Sequence, residues 1–254
     1  MKYRPRLLLF TLAFLANGLA VSSLSAQFLL TDVSTPTGSF TTTQTLTNVS
    51  IAPGEFLLVA YGDDQGGSGT ASFDGSGMTS GWNISNANTT NMVFYVANDT
   101  GSALQGDVVI DGAGNNFMYG AYTLDGADPS IAPAPVNTGT SGANVALDFD
   151  LTGLTAGQFV FTSASNGNGS STLSVSPGSV EQQASTGGSV GDFAVGSFEV
   201  SSSGNQTFTW SSSDNPFRTA GGAIAFTPIP EPGTAALFLS GLACVLFGSQ
   251  RRRN

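Results

Sequence analysis

The sequence predicts an all-β protein: an antiparallel jelly-roll-like β-sandwich flanked by an N-terminal signal helix and a C-terminal hydrophobic helix. Three observations predict it. Short segments rich in Val, Ile, Phe, Tyr and Thr recur between clusters of Gly, Asn, Asp and Ser. No long apolar period of 3.6 residues runs through the middle of the chain. Some segments alternate apolar and polar, whereas others are apolar on both faces, as expected of edge and central strands in stacked sheets. The parts are a signal peptide over 1–26, a sandwich domain over 27–227 and a terminal segment over 228–254.

The chain opens with Lys2, Arg4 and Arg6, followed by the apolar run Leu7 to Ala16 and the small residues Ser25 and Ala26. This is the order of an export signal, with cleavage expected before Gln27 or, since Leu24 is large for the minus-three position, after Ala20. Strands are then expected near Phe28–Val33, Phe40–Val49, Glu55–Tyr61, Gly69–Phe73, Asn91–Val96, Gly106–Ile110 and Asn116–Leu124. Further strands follow near Asn144–Asp150, Gln158–Ser163, Thr172–Val175, Asp192–Val200, Gln206–Trp210 and Gly222–Phe226. In the last third, Phe193, Val195, Ser197 and Glu199 alternate with Ala194, Gly196, Phe198 and Val200, and Phe208 and Trp210 with Thr207 and Thr209. Phe56–Tyr61 and Met92–Val96 are apolar on both faces and read as central strands.

Two stacked sheets are expected, with Phe56, Leu58, Val93, Tyr95, Tyr122, Phe159, Phe161, Phe198, Trp210, Ile224 and Phe226 filling one gap. Asp128 to Gly142 reads as a linker, no repeat of fixed period is visible, and a single domain is expected.

The chain ends on a Pro-rich hinge, Pro228-Ile229-Pro230-Glu231-Pro232-Gly233, then an uncharged apolar run from Thr234 to Gly248, then Arg251, Arg252 and Arg253. The hinge cannot continue a helix or central strand. As a helix the run would reach about 22 Å at about 1.5 Å per residue, short of a bilayer core of about 30 Å. Three Arg snorkelling to cytoplasmic headgroups make a basic membrane stop for such a marginal span.

Pro230-Glu231-Pro232, a short apolar helix and a terminal Arg cluster, in that order, resemble the PEP-CTERM sorting signal of Gram-negative bacteria. The resemblance covers Pro228 to Asn254. It implies recognition by an exosortase, which removes the tail near Pro230-Glu231-Pro232, and with it Cys244, and passes the body to the cell surface or extracellular polymer. The order of strands from Phe56 to Phe226 also resembles an exported bacterial β-sandwich module.

Composition excludes several functions. Gln27 to Pro230 holds sixteen acids against one base, Arg218, a net charge of −15 within a chain total of −10. Such a body repels nucleic acid and anionic lipid. It contains no Cys and no His, which removes disulfides, the usual zinc, copper and haem ligands, and Ser-His-Asp or Cys-His hydrolysis.

Candidate sites are few. Asp63-Asp64-Gln65-Gly66-Gly67 and the stretch from Asp111 to Asn116 are oxygen-rich turns of a kind that can wrap Ca²⁺, and equally plain hairpin turns; Asp63, Asp64 and Asp111 are the metal candidates. Asp148 and Asp150 share one strand face, where a carboxylate pair could serve as acid and base. Thr41, Thr43, Thr45 and Thr47 form one row of hydroxyls; an array of such rows can bind ice or a flat polysaccharide, but adjacent strands do not repeat this one, which reads as an exposed edge face. Trp82, Tyr61 and Tyr119 are either core aromatics or sugar-stacking platforms. Asn-x-Ser/Thr triplets at Asn83, Asn88, Asn98, Asn168 and Asn205 follow from composition. The expected function is a non-enzymatic cell-surface or matrix protein, exported, held transiently in the inner membrane and processed by exosortase, with no catalytic residues. The alternatives are a carbohydrate-binding module for exopolysaccharide, calcium-assisted or not, and a polysaccharide hydrolase or lyase.

Overall fold

The computed structural model describes residues 28–229 except 40–41, 64–66, 87–88, 113–116, 143–144, 168–170, 186–190 and 214–217. The signal segment and the sorting tail, with Pro230, Glu231, Pro232, Arg251, Arg252 and Arg253, lie outside the described residues. Gln27–Ile229 forms one compact unit, all-β and antiparallel throughout its described part.

The strands of its first half are β1 (Leu29–Ser39), β2 (Thr43–Ile51), β3 (Phe56–Asp63), β4 (Thr70–Phe73), β5 (Ser76–Gly77), β6 (Thr79–Asn86), β7 (Thr89–Ala97), β8 (Leu104–Asp111) and β9 (Phe117–Asp125). Those of the second are β10 (Val136–Ser141), β11 (Leu147–Leu154), β12 (Phe159–Asn166), β13 (Leu173–Ser176), β14 (Ser179–Ser185), β15 (Asp192–Glu199), β16 (Gly204–Ser212) and β17 (Thr219–Phe226). All thirteen expected strands are present. The four additional ones, β5, β6, β10 and β14, each lie at a sheet edge, where little apolar patterning is needed. β10 occupies the end of the expected linker.

The fold is built twice. The first half forms a five-stranded sheet in the order β1-β9-β3-β7-β6 and a second sheet β2-β8-β4-β5. The second half forms β10-β17-β12-β15-β14 and β11-β16-β13, the same order strand for strand apart from the short β5. The turns repeat down to individual hydrogen bonds. Ala52 N donates to Glu55 Oε2 at 2.8 Å, and Thr155 N to Gln158 Oε1 at 2.8 Å. Gly54 N donates to Asn98 O, as Gly157 N does to Val200 O. Both glycines have positive φ, 90° and 88°, which only Gly adopts freely. The bulge between Leu46 and Val49 recurs between Leu151 and Leu154, with Asn48 at φ 57° and Gly153 at φ 76°. Beyond β9 and β17 the two halves pair with each other, Ala127 bridging Pro228 and Ile229 N donating to Gly126 O.

Four sheets and three apolar layers therefore replace the expected two sheets and one gap. The central layer lies between the five-stranded sheets, where Phe56 meets Phe226 edge-on at 5.1 Å and Tyr122 meets Phe161 at 5.8 Å. An outer layer around Tyr61, Val108, Ile110 and Phe117 fills the first half. The other, around Leu151, Phe208 and Trp210, fills the second and takes Trp210 and part of Phe198 out of the expected single core. β3 and β12 are buried along their whole length because each is covered on both faces. β15 alternates in sequence yet is buried from Asp192 to Gly196. Phe193 and Val195 face the central layer, while Ala194 packs in the outer one.

Candidate functional site

The aromatic candidates belong to the core. Tyr61 is fully buried, and Trp82 and Tyr119 are each 4 % exposed, so none offers a ring face to a sugar. The Trp82 indole N–H donates to Asn91 Oδ1 at 2.7 Å, and Tyr61 OH donates to Asp63 Oδ2 at 2.8 Å. No aromatic side chain is among the exposed large hydrophobics of the described residues.

The structure separates the metal candidates. Asp63 ends β3 and is 1 % exposed, its carboxylate held by Tyr61. Asp111 ends β8 in a different sheet, exposed, and accepts a bond from Thr43 Oγ1 at 3.1 Å. Asp64 lies outside the described residues. Among the described residues no group of three or more His, Cys, Asp or Glu is arranged to hold a metal. In the second half Asn166 occupies the position of Asp63, and its cross-strand neighbour Asp192, fully buried, accepts from Ser171 N at 2.8 Å and Ser171 Oγ at 2.5 Å. Among the described residues each half thus carries one buried carboxylate near the same end of its sheet, held by the fold's own donors.

Asp148 and Asp150 do share a face, as their spacing predicts. It is the solvent side of β11, with Leu147, Phe149 and Leu151 turned into the core between them. Asp150 accepts from Thr207 Oγ1 at 2.6 Å. The pair stands on an outer sheet surface beside Thr207 and Thr209 of β16. Thr43, Thr45 and Thr47 are exposed on β2, an edge strand as read, and Thr41 lies outside the described residues. Of the Asn triplets, Asn98 is fully buried and donates to Ile51 O at 2.9 Å, Ala52 O at 3.0 Å and Ser102 O at 3.0 Å.

The polar cluster that sequence reading passed over lies in the central layer. Asn91 of β7 accepts from Trp82 Nε1 and from Ser163 Oγ at 2.9 Å, and donates to Ser165 Oγ at 2.9 Å. It ties one five-stranded sheet to the other. An Asn beside the buried run Met92–Phe94 was its signal in the sequence. Near one edge of the same layer, burial raises the Tyr122 hydroxyl far above the ordinary tyrosine value, with the nearby carboxylates of Asp32 and Glu181 adding to the effect. Burial also raises Tyr95 and Tyr119, the latter opposed by a hydrogen bond with Ser34.

Comparison with known proteins gives no family that matches this chain, no similar curated protein and no similar solved structure.

Proposed function

We propose that this is an exported, non-enzymatic cell-surface or extracellular-matrix protein, whose C-terminal segment is a sorting signal removed by an exosortase. In this reading the tail anchors the chain transiently in the inner membrane. Each half of the body is a jelly roll, since β1-β9-β3-β7 faces β2-β8-β4-β5 in that fold's strand order, with the second half varying it at one edge strand.

The observation that carries the reading is the pair of signals enclosing the body: Lys2 to Ala26 in front, Pro230 to Arg253 behind. The fold supports it. Its first strand begins at Leu29 and its last bridge is made by Pro228, so both segments can be removed without loss of a described strand. A non-enzymatic role is supported by the lack of His and Cys in the body and by the placement of Asp148 and Asp150 on an open sheet face. A chain shortened by deletion of Pro230 to Asn254 should be secreted without surface attachment; unchanged fractionation between surface and medium would contradict the proposal.

A further inference from the structure

Because the fold is built twice, each half serves as a control for the other, and the two differ at one gap. In the second half the edge strands β10 and β11 close on each other. Asn137 Nδ2 donates to Asp150 O at 2.6 Å, and a Cβ on Gly139 would stand 3.0 Å from Leu147 Cδ1 and 3.2 Å from Asp148 O. In the first half the equivalent strands, β1 and β2, part to leave a cleft of about 710 Å³, lined by residues 32–34 of β1 and 45–50 of β2. β1 breaks register between Asp32 and Ser34 and again between Ser34 and Thr37, whereas β10 runs beside β17 without a break. The gap comes from extra residues in one edge strand; the shared topology does not require it.

We propose that this cleft binds a neutral, hydroxyl-rich chain, a linear uncharged polysaccharide segment. Three exposed hydroxyl residues, Thr45, Thr47 and Ser50, line it together with the exposed carboxamide residue Asn48, groups that exchange hydrogen bonds with sugar hydroxyls. Val33 and Leu46, each partly buried, supply apolar surface beside them. An anionic chain finds no base among the described lining residues, and the body's only base is Arg218. A metal finds one carboxylate among the described lining residues, Asp32, which already accepts from Gln182 Nε2 at 2.7 Å, too few for a hard cation. A peptide adding as a strand needs an unbroken row of backbone donors and acceptors. β1 is bulged twice here, β2 is bulged between Leu46 and Val49, and Asn48 N is already bonded to Asp107 Oδ1 at 3.0 Å.

Asn48 provides the test. Its φ of 57° matches the 76° of Gly153 at the same bulge of the second half, so Asn48→Gly keeps the backbone conformation while removing the amide. The full chain, isotopically labelled, is titrated with cellohexaose, laminarihexaose and maltohexaose, with hexagalacturonate as the anionic control and a Gly-Ser hexapeptide as the strand control. The expected result is saturable shifts of backbone amides at 32–34 and 45–50 with at least one neutral hexaose at concentrations of about 10 mM. Binding should fall by about fivefold or more in Thr47→Ala/Asn48→Gly with the melting temperature unchanged. The proposal is overturned by silence from all three neutral hexaoses, by equal or stronger response to either control, or by affinity unchanged in the double variant. None of these outcomes depends on how the C-terminal segment is processed.

Discussion

Asn91 on β7 and Ser165 on β12 are joined across the central layer, Asn91 Nδ2 donating to Ser165 Oγ at 2.9 Å. The carboxamide oxygen of the same Asn accepts from Trp82 and Ser163, so one side chain satisfies three buried polar groups from both sheets. Apolar packing alone is tolerant of sliding, and a polar group with fixed partners is not.

Asn91→Leu keeps a similar volume but leaves Trp82 Nε1, Ser163 Oγ and Ser165 Oγ without these bonds. The expected loss is about 2–4 kcal/mol, read as a lower urea midpoint at unchanged slope.

Gly62 permits this close approach. A Cβ there would lie 2.3 Å from Ser165 Oγ and 2.8 Å from Phe193 Cδ2. Gly62→Ala is expected to cost about 1–3 kcal/mol, and adding Ser165→Gly should recover part of it. Equal and additive losses in a double-mutant cycle would show that the two positions do not meet.

The duplicated turns make a paired prediction. Glu55→Ala removes the acceptor for Ala52 N, and Gln158→Ala the acceptor for Thr155 N together with a donor to Ala134 O at 3.2 Å. Each should destabilise by about 0.5–1.5 kcal/mol, with position 158 the more costly because it loses two bonds. Thermal melts of the two variants measure the difference.

Much of this fold is legible in the sequence, for identifiable reasons. Strands buried on two faces announce themselves, as Phe56–Tyr61 does, because both sets of alternate residues are large and apolar. The duplication does not. Leu46-Thr47-Asn48-Val49 and Leu151-Thr152-Gly153-Leu154 are equivalent, as are Pro53-Gly54-Glu55-Phe56 and Ala156-Gly157-Gln158-Phe159, yet the identities are few and the spacing between equivalent residues drifts along the chain. Ala194, Gly221 and Gly222 look like weak strand formers, and their smallness is what lets layers pack: a Cβ on Gly222 would meet the Trp82 ring at 2.9 Å. Residue type and spacing do not report which strands pair, and only pairing shows that Asp63 and Asp111 belong to different sheets. The cleft between β1 and β2 depends on bulges, which no local pattern marked.

Tyr122 sets an alkaline limit. Its hydroxyl is buried with no hydrogen-bond partner among the described residues, and its folded pKa is raised above the unfolded value of about 10. The folded state therefore keeps a proton that the unfolded state releases, so this contribution is present below about pH 10 and is lost as pH rises beyond it. Tyr122→Phe should be neutral or stabilising by about 1 kcal/mol at pH 7, since it removes an unpaired buried hydroxyl. It should also lessen the loss of stability between about pH 10 and pH 11, which denaturant titrations across that range measure.

The most direct test of the sorting account is the intact mass of the mature protein recovered from surface and culture fractions. The account predicts a chain starting near Gln27 and ending between Pro230 and Gly233, with or without an added glycan or lipid. A mature chain that still carries Arg251, Arg252 and Arg253 would contradict it and leave the terminal segment a plain membrane anchor.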